Sequence, residues 1–210
     1  MSEGPWATLN LGRRLGDAPE HVDENRRRLC AELGADSEQL ALNYQRHSTT
    51  VNRAPVRDAE GDGLWTDEAG VPMLALGADC ALVGLARQNG AGPAAAVVHA
   101  GRIGIIDGVL QAAVAALGGK VAAVIGPAIG PCCYEVGREV ADPYRAAFGA
   151  GVVRDGKLNL WRAAELSLRE AGATSIERLD LCTCCHEDLF FSYRRDGEPR
   201  GGHGVIALVS

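Results

Sequence analysis

Three side chains with the makings of a reactive centre stand in three separate segments. They are His47 in Gln45-Arg46-His47-Ser48-Thr49, Cys80 directly after Asp79, and His99 at the head of His99-Ala100-Gly101. Each follows a strand-like run. A thiolate with two imidazoles is the donor set of a catalytic zinc site that keeps its fourth position open. A Cys beside a His is also the pair of a thiolate nucleophile and its base. Taken singly, each residue has a plainer reading. A Cys next to the apolar 81–86 run is usually core, and a His at a strand–helix turn is usually satisfied by backbone. Spacing leaves these readings open, because the residues would have to meet in space.

Other residues supply charge or soft ligands. Arg102 sits in the turn after His99, ahead of a helix expected to start near Gly104, and a helix N-terminus can hold a phosphate or an oxyanion. The segment Asp188–Asp196, with Phe190, Phe191, Tyr193, Arg194 and Arg195, could line a purine pocket or form a strand with a solvated basic end. Cys182-Thr183-Cys184-Cys185-His186 has one two-residue gap, from Cys182 to Cys185, but no second half, so no second zinc site is expected there. Cys132-Cys133 lacks a partner set by spacing, and adjacent cysteines rarely bridge each other. Cys133 is expected to serve packing only.

These residues need elements to hold them. Asp17 reads as an N-cap, with Pro19 in the first turn and Glu20 closing a capping box. Val22, Arg26, Leu29, Cys30 and Leu33 follow at helical spacing, and Gly34 ends the helix. Leu40, Leu42 and Tyr44 alternate as a strand that delivers His47. The charged, Gly-rich stretch 53–70 reads as loop and short strand. Apolar runs at 71–76, 81–86 and 94–98 are strands, the last two joined as a hairpin through the turn 88–93. A helix stripe runs from Ile105 to Ala116, and 121–125 is a buried strand. Residues 126–131, with two prolines and two glycines, must be irregular. Helices at 136–147 and 160–171, the latter behind the Asn159 cap, and strands at 176–181 and 204–209 complete one mixed α/β (α+β) domain over 1–210, its mixed sheets layered with helices.

Bulk properties narrow the function. Lys plus Arg is 21 and Asp plus Glu 27, for a net charge of −6, with no basic run longer than Arg26-Arg27-Arg28, which argues against nucleic acid as a partner. No apolar run approaches the ~20 residues of a membrane span. The N-terminal Met1-Ser2-Glu3-Gly4-Pro5 lacks the basic and apolar regions of a signal peptide. Seven cysteines, two pairs of them adjacent, make a poor disulfide framework and suit a reduced cytoplasm without disulfides. Aromatics are 5% of the chain, so the core must be aliphatic.

Long strings of the chain resemble one family. His99-Ala100-Gly101, the run Gly126-Pro127-Ala128-Ile129-Gly130-Pro131-Cys132-Cys133-Tyr134-Glu135-Val136, and Asp188-Leu189-Phe190-Phe191-Ser192-Tyr193-Arg194-Arg195-Asp196-Gly197 are similar to the laccase-domain family, also called the polyphenol oxidase or peptidoglycan-editing-factor family. Ser2-Glu3-Gly4-Pro5, Leu9-Asn10-Leu11-Gly12, Glu24-Asn25-Arg26-Arg27-Arg28-Leu29 and Asp62-Gly63-Leu64 extend the likeness over essentially the whole chain. The resemblance implies zinc held by His47, Cys80 and His99. It implies phosphorolysis of adenosine, inosine, guanosine or methylthioadenosine to base and ribose 1-phosphate, with adenosine deaminase activity at the same centre. The small-molecule partners are then a nucleoside and phosphate, with Arg102, Arg46 or Arg194 gripping the anion.

The chain departs from the family pattern at three places: Ser48 replaces a Gly, Arg102-Ile103 replaces Trp-Arg, and the sequence begins where the family has an upstream strand with an Arg-Gly-Gly turn, so that either the start lies further upstream or this member lacks that piece of its pocket. Two other readings compete. One is a cysteine hydrolase using Cys80 and His99 on cell-wall precursors, and the other a non-catalytic binding protein of the same fold. Copper oxidase activity ranks last, since one His-Cys-His triplet does not serve several coppers and only Met1 and Met73 could offer an axial thioether.

Overall fold

The structure is a computed structural model and describes residues 2–210. Its helices are α1 (Pro19–Glu32), α2 (Arg102–Asp107), α3 (Val109–Leu117), α4 (Arg138–Phe148), α5 (Leu160–Glu170) and α6 (Tyr193–Asp196). Its strands are β1 (Ala41–Tyr44), β2 (Val51–Arg53), β3 (Arg57–Glu60), β4 (Gly63–Thr66), β5 (Met73–Gly77), β6 (Ala81–Arg87), β7 (Ala95–Ala100), β8 (Val121–Ile125), β9 (Val153–Arg154), β10 (Lys157–Leu158), β11 (Ser175–Arg178) and β12 (His203–Ala207). One sheet has the order β12-β5-β1-β3 and a larger one β11-β8-β6-β7-β4-β2, while β9 and β10 form a small ribbon. Both large sheets mix parallel and antiparallel pairs, as expected for a mixed α/β fold.

The two-residue period of the β6–β7 hairpin sets the layers. Ala81, Val83 and Leu85 of β6, with Ala96, Val98 and Ala100 of β7, pack against residues of α2 to α5 such as Ile105, Leu110, Tyr144 and Leu168. The alternate residues Leu82, Ala95 and Val97 meet Met73, Ala75 and Leu64 between the two sheets. On the far side of the smaller sheet, Leu74 and Leu40 pack with Leu11 and with Cys30 of α1. The layers therefore run helix, sheet, sheet, helices. His99 has the parity of Val97 and sits opposite Leu82, so it belongs to the inter-sheet face at the end of β7.

Four expectations change. The stretch 53–70 holds two full strands, β3 and β4, and the last residue of β2 rather than one short strand, because β4 is buried between β2 and β7 while β3 is the outer strand of its sheet, where Arg57, Asp58 and Glu60 suit an edge. The N-cap of α1 is Ala18, without a side-chain cap; the Asp17 carboxylate instead accepts from Ser2 Oγ, Asn10 Nδ2 and the Ala18 N–H. The expected helix over 105–116 is broken by Gly108, whose φ of 99° ends α2, and α2 begins at Arg102 rather than near Gly104. The end of Asp188–Asp196 is not a strand but the short helix α6, where Ser192 accepts from the Arg195 N–H. Among the described residues no helix is long and apolar enough to cross a membrane.

His203, in β12, gives the fold a titration signature. Neither ring nitrogen has a hydrogen-bond partner among the described residues, and the ring packs edge-on to Phe190 with centroids 5.5 Å apart. Burial pushes its pKa from 6.5 down to about 4, against partial opposition from Asp79. The unfolded chain therefore takes up a proton that the folded chain resists. This contribution to stability is complete above pH 6.5 and is lost as pH falls from 6.5 through about 4. His203→Phe should flatten the acid fall of Tm in that window, removing a pH-dependent component of at most ~3 kcal/mol. Superimposable Tm profiles for the two proteins would contradict this.

Candidate active site

His47 lies in the loop after β1 with φ 59°, in the left-handed region that a non-Gly residue occupies only when its surroundings hold it there. The holding group is Asp62, 1% exposed. Its Oδ2 accepts from the N–H groups of Arg46 (3.0 Å) and Ser48 (2.7 Å) and from Ser48 Oγ (2.8 Å), and its Oδ1 accepts from the His47 N–H (3.0 Å). Three successive N–H groups thus converge on one carboxylate, an anion nest that fixes the turn. Ser48, one of the departures from the family pattern, adds a donor to this nest.

The same carboxylate reaches the second imidazole. His99 Nδ1 donates to Asp62 Oδ1 at 2.8 Å, and the His99 N–H donates to Asp62 O at 2.7 Å. With its proton on Nδ1, His99 presents the Nε2 lone pair to the site, the arrangement that orients a metal-binding imidazole. Burial opposes the charge on Asp62, but His99 and the surrounding donors outweigh it and hold the carboxyl well below the usual carboxylate range.

Cys80 is delivered by a third device. Asp79 has φ 100°; its Oδ1 accepts from Thr183 Oγ1 (2.6 Å), its Oδ2 from the Arg194 N–H (2.7 Å), and its carbonyl from the Ile129 N–H (2.8 Å). The turn into β6 is thereby tied to two distant loops. Cys80 Sγ ends 3.8 Å from His47 Nε2, the two imidazole centroids are 4.9 Å apart, and one ligand atom from each of the three residues falls within 4.8 Å of the others. A tetrahedral zinc with bonds of about 2.1 Å to nitrogen and 2.3 Å to sulfur sets such separations at roughly 3.6 Å, so the donors fit with a small adjustment.

Gly101 makes this approach feasible. A Cβ there would stand 2.5 Å from His47 Cδ2 and 3.2 Å from Cys80 Sγ.

Cys80 and His99 also shift each other's ionisation. Burial pushes the Cys80 thiol up, yet the charge of His99 and contacts with both imidazoles outweigh it and bring its pKa down to about 6. Burial likewise opposes charge on His99, and Cys80 and Asp62 overcome it, raising its pKa to about 9.

The three residues open on a cleft of about 1270 Å³. Arg102 and Arg194 line it, but Arg46 does not. Arg46 lies over the Tyr44 ring at 5.0 Å and pairs with Glu60 at 3.5 Å, which draws it away from the cleft. Arg102 is the first residue of α2, exposed, and its guanidinium makes no hydrogen bond or ion pair among the described residues. Arg194 rests over Tyr134 at 5.3 Å and reaches the Glu135 carbonyl at 3.4 Å. Phe190 and Phe191 line a different hollow, so only the Tyr193–Arg194 part of that segment serves this cleft.

Sequence reasoning missed Asp62 as a working residue, although Asp62-Gly63-Leu64 was among the matching strings. Its role runs through backbone N–H groups some fifteen residues away, which spacing does not reveal. It also missed Tyr44, Tyr134, Arg14 and Arg200, which line the cleft; Arg14 stacks on Tyr44 at 4.2 Å and Arg200 on Tyr193 at 4.6 Å. The isolation expected of the other cysteines is overturned. Cys132, Cys133, Cys182 and Cys185 gather in one cluster, because a backbone bridge between Ala128 and Cys182 brings the two loops together.

Asp62→Asn should separate orientation from ligation. An amide cannot accept from all the donors that now converge there, so a destabilisation of about 3–5 kcal/mol is expected, as for removing one partner of a buried ion pair. Activity per folded molecule should fall ~10- to 100-fold, as for loss of an outer-shell metal-site partner. Denaturant unfolding and turnover on the same sample read both quantities, and wild-type values would refute the orienting role.

The family model described as multi-copper polyphenol oxidoreductase laccase matches residues 1–209. Purine nucleoside phosphorylase YfiH of Shigella flexneri is 35% identical over 208 residues, spanning 93% of this chain and 84% of that protein. Purine nucleoside phosphorylase of Xylella fastidiosa is 38% identical over 219 residues, spanning 93% of this chain and 83% of that protein. The crystal structure of YlmD from Geobacillus stearothermophilus superimposes with a TM-score of 0.89 at 31% identity, covering 100% of this chain and 88% of that one. A match along nearly the whole length, in sequence and in fold, means that the chain belongs to the multi-copper polyphenol oxidoreductase laccase family.

Proposed function

We propose that the chain is a zinc-dependent purine nucleoside phosphorylase that splits adenosine, inosine, guanosine or methylthioadenosine into free base and ribose 1-phosphate. The observation that carries this reading is the convergence of His47, Cys80 and His99 within 4.8 Å in a cleft large enough for a nucleoside. The names of relatives 35–38% identical over most of the chain support the choice of reaction. Zinc bound there would supply Lewis acidity near neutral pH, suited to polarising phosphate and, in the deaminase activity we include, to water that displaces ammonia from adenine.

The chain's own residues supply the rest. Asp62 fixes the His99 tautomer and the His47 turn. Arg102, with no competing partner among the described residues, is the guanidinium offered to a phosphate dianion beside C1′ of the ribose. Tyr134 with Arg194 forms a flat wall for the purine. Copper chemistry is not proposed, since one His-Cys-His triplet does not serve several coppers and Met73 packs in the inter-sheet core rather than lining the cleft. Seven free thiols suit a reducing cytoplasm as the place of action.

One observation favours a second reading, a cysteine hydrolase. The lowered Cys80 and raised His99 values describe a thiolate–imidazolium pair. That reading needs one imidazole, however, and leaves unexplained why Asp62 fastens a second one, on a left-handed turn, at the same point. A nucleoside hydrolase would release base without phosphate, whereas a cysteine hydrolase of cell-wall precursors or a binding protein would release none.

Arg102→Ala should raise the KM for phosphate and lower turnover roughly 10- to 100-fold, the ~1.5–3 kcal/mol of a charge-assisted hydrogen bond. Inosine cleavage with graded phosphate reads this. An unchanged variant would show that the anion is held elsewhere.

A further inference from the structure

We propose that Cys132, Cys133, Cys182 and Cys185 form a second metal site, a closed tetrathiolate that takes zinc and clamps one wall of the cleft. The proposal does not rest on the phosphorylase reading. One sulfur from each of the four residues lies within 4.8 Å of all the others. Cys185 Sγ is 3.5 Å from Cys132 Sγ and 3.4 Å from Cys133 Sγ. Zinc–sulfur bonds of about 2.3 Å set tetrahedral sulfur–sulfur edges of roughly 3.8 Å, inside that range. A disulfide would need about 2.05 Å, and all seven cysteines are free. Four sulfurs so close are not explained by packing, since Cys132 and Cys185 are exposed and gain nothing from apolar burial.

The backbone is arranged for the task. Cys182 and Cys185 are the two ends of a tight turn in which the Cys185 N–H donates to Cys182 O at 3.1 Å. The Gly130 N–H donates to Cys182 Sγ at 3.2 Å, the type of N–H contact that supports a ligating sulfur. Gly130 has no room for a side chain, because a Cβ there would lie 2.5 Å from Trp161 and 3.2 Å from Cys132 Sγ. The Thr183 N–H donates to Ala128 O at 3.1 Å, holding the two thiol-bearing loops together independently of any metal. Cys184 falls outside this four-sulfur group and is not a proposed ligand.

The site has a consequence for the cleft. The loop bearing Cys132 and Cys133 continues into Tyr134, and the carbonyls of Cys133 and Glu135 hold Arg194. The other loop holds Arg195 through the carbonyls of Thr183 and Cys184. A metal joining the loops fixes both sides of the Tyr134–Arg194 wall.

The test uses the full chain with Cys80→Ala, which removes the thiolate ligand of the first site. After zinc loading and exhaustive dialysis under reducing conditions this protein should keep about one zinc per chain. Adding Cys132→Ser and Cys185→Ser should bring that to none, whereas adding Cys184→Ser should leave it. Cobalt(II) titration of the Cys80→Ala protein should give intense sulfur-to-cobalt charge-transfer absorption, a readout that requires no further variant to fold. Absence of both zinc and that absorption would overturn the proposal, as would loss of metal with Cys184→Ser. A mass deficit of two hydrogens, locating a disulfide among the four, would overturn it as well. Iron retained in place of zinc would overturn the choice of metal. Phosphorolysis is not measured in any arm, so failure here is distinct from failure of the proposed function.

Discussion

Cys80→Ala should abolish nucleoside cleavage while leaving the fold intact. Cys80 is the only thiolate of its cluster, only partly buried, and tied into the fold mainly through Asp79 and the β6 ladder. Removing its sulfur opens little cavity in the core but deletes one of three protein donors. The loss should therefore exceed the ~10- to 100-fold typical of an outer-shell partner, and metal should wash out of the site. Turnover, metal content and thermal unfolding on one preparation check this. A variant that cleaves at the wild-type rate would exclude both the metal reading and the thiolate-nucleophile reading.

Gly101→Ala should be nearly as damaging through a single methyl group. Gly101 has φ −70°, so an alanine meets no backbone objection. The objection is spatial, because the new Cβ would stand 2.5 Å from His47 Cδ2 and 3.1 Å from His47 Nε2. Either the imidazole leaves or β7 and α2 part, and β7 is central and fully buried. His47, on a solvent-facing loop, should be the one to move. The expected result is near-complete loss of activity and metal, with a loss of stability of only ~1–3 kcal/mol for overpacking. Full activity in this variant would mean that the three residues do not work as one centre. The contrast with Asp62→Asn is diagnostic, since there stability and activity should fall together.

The sequence made the strands and the three candidate ligands legible for different reasons. The strands were visible because β5 to β8 are apolar runs bounded by turn residues, and the β6–β7 hairpin follows from the Asn89-Gly90 turn between them. His47, Cys80 and His99 were visible as a soft donor set, but only matching strings along the chain argued that they meet. The short strands of 53–70 were obscure because an edge strand carries charges and reads as loop. Asp62 was obscure because its partners are main-chain groups, which have no residue type. The four-cysteine cluster was missed for a third reason. Its halves are about fifty residues apart and are joined by the Ala128–Cys182 bridge, a contact of two irregular loops that no local pattern encodes. Arg46 was credited with a role because of its place next to His47, yet its side chain falls to Glu60 and Tyr44.

A metal held by His47, Cys80 and His99 should drive cleavage of a nucleoside by phosphate. This is tested most directly by following inosine with the purified chain, with and without inorganic phosphate, while counting metal in the wild type and in Cys80→Ala. Hypoxanthine and ribose 1-phosphate should appear in equal amounts, strictly dependent on phosphate, and both should be lost in Cys80→Ala together with about one equivalent of zinc. Release of hypoxanthine with free ribose in phosphate-free buffer, or phosphorolysis that survives in the Cys80 variant, would contradict it.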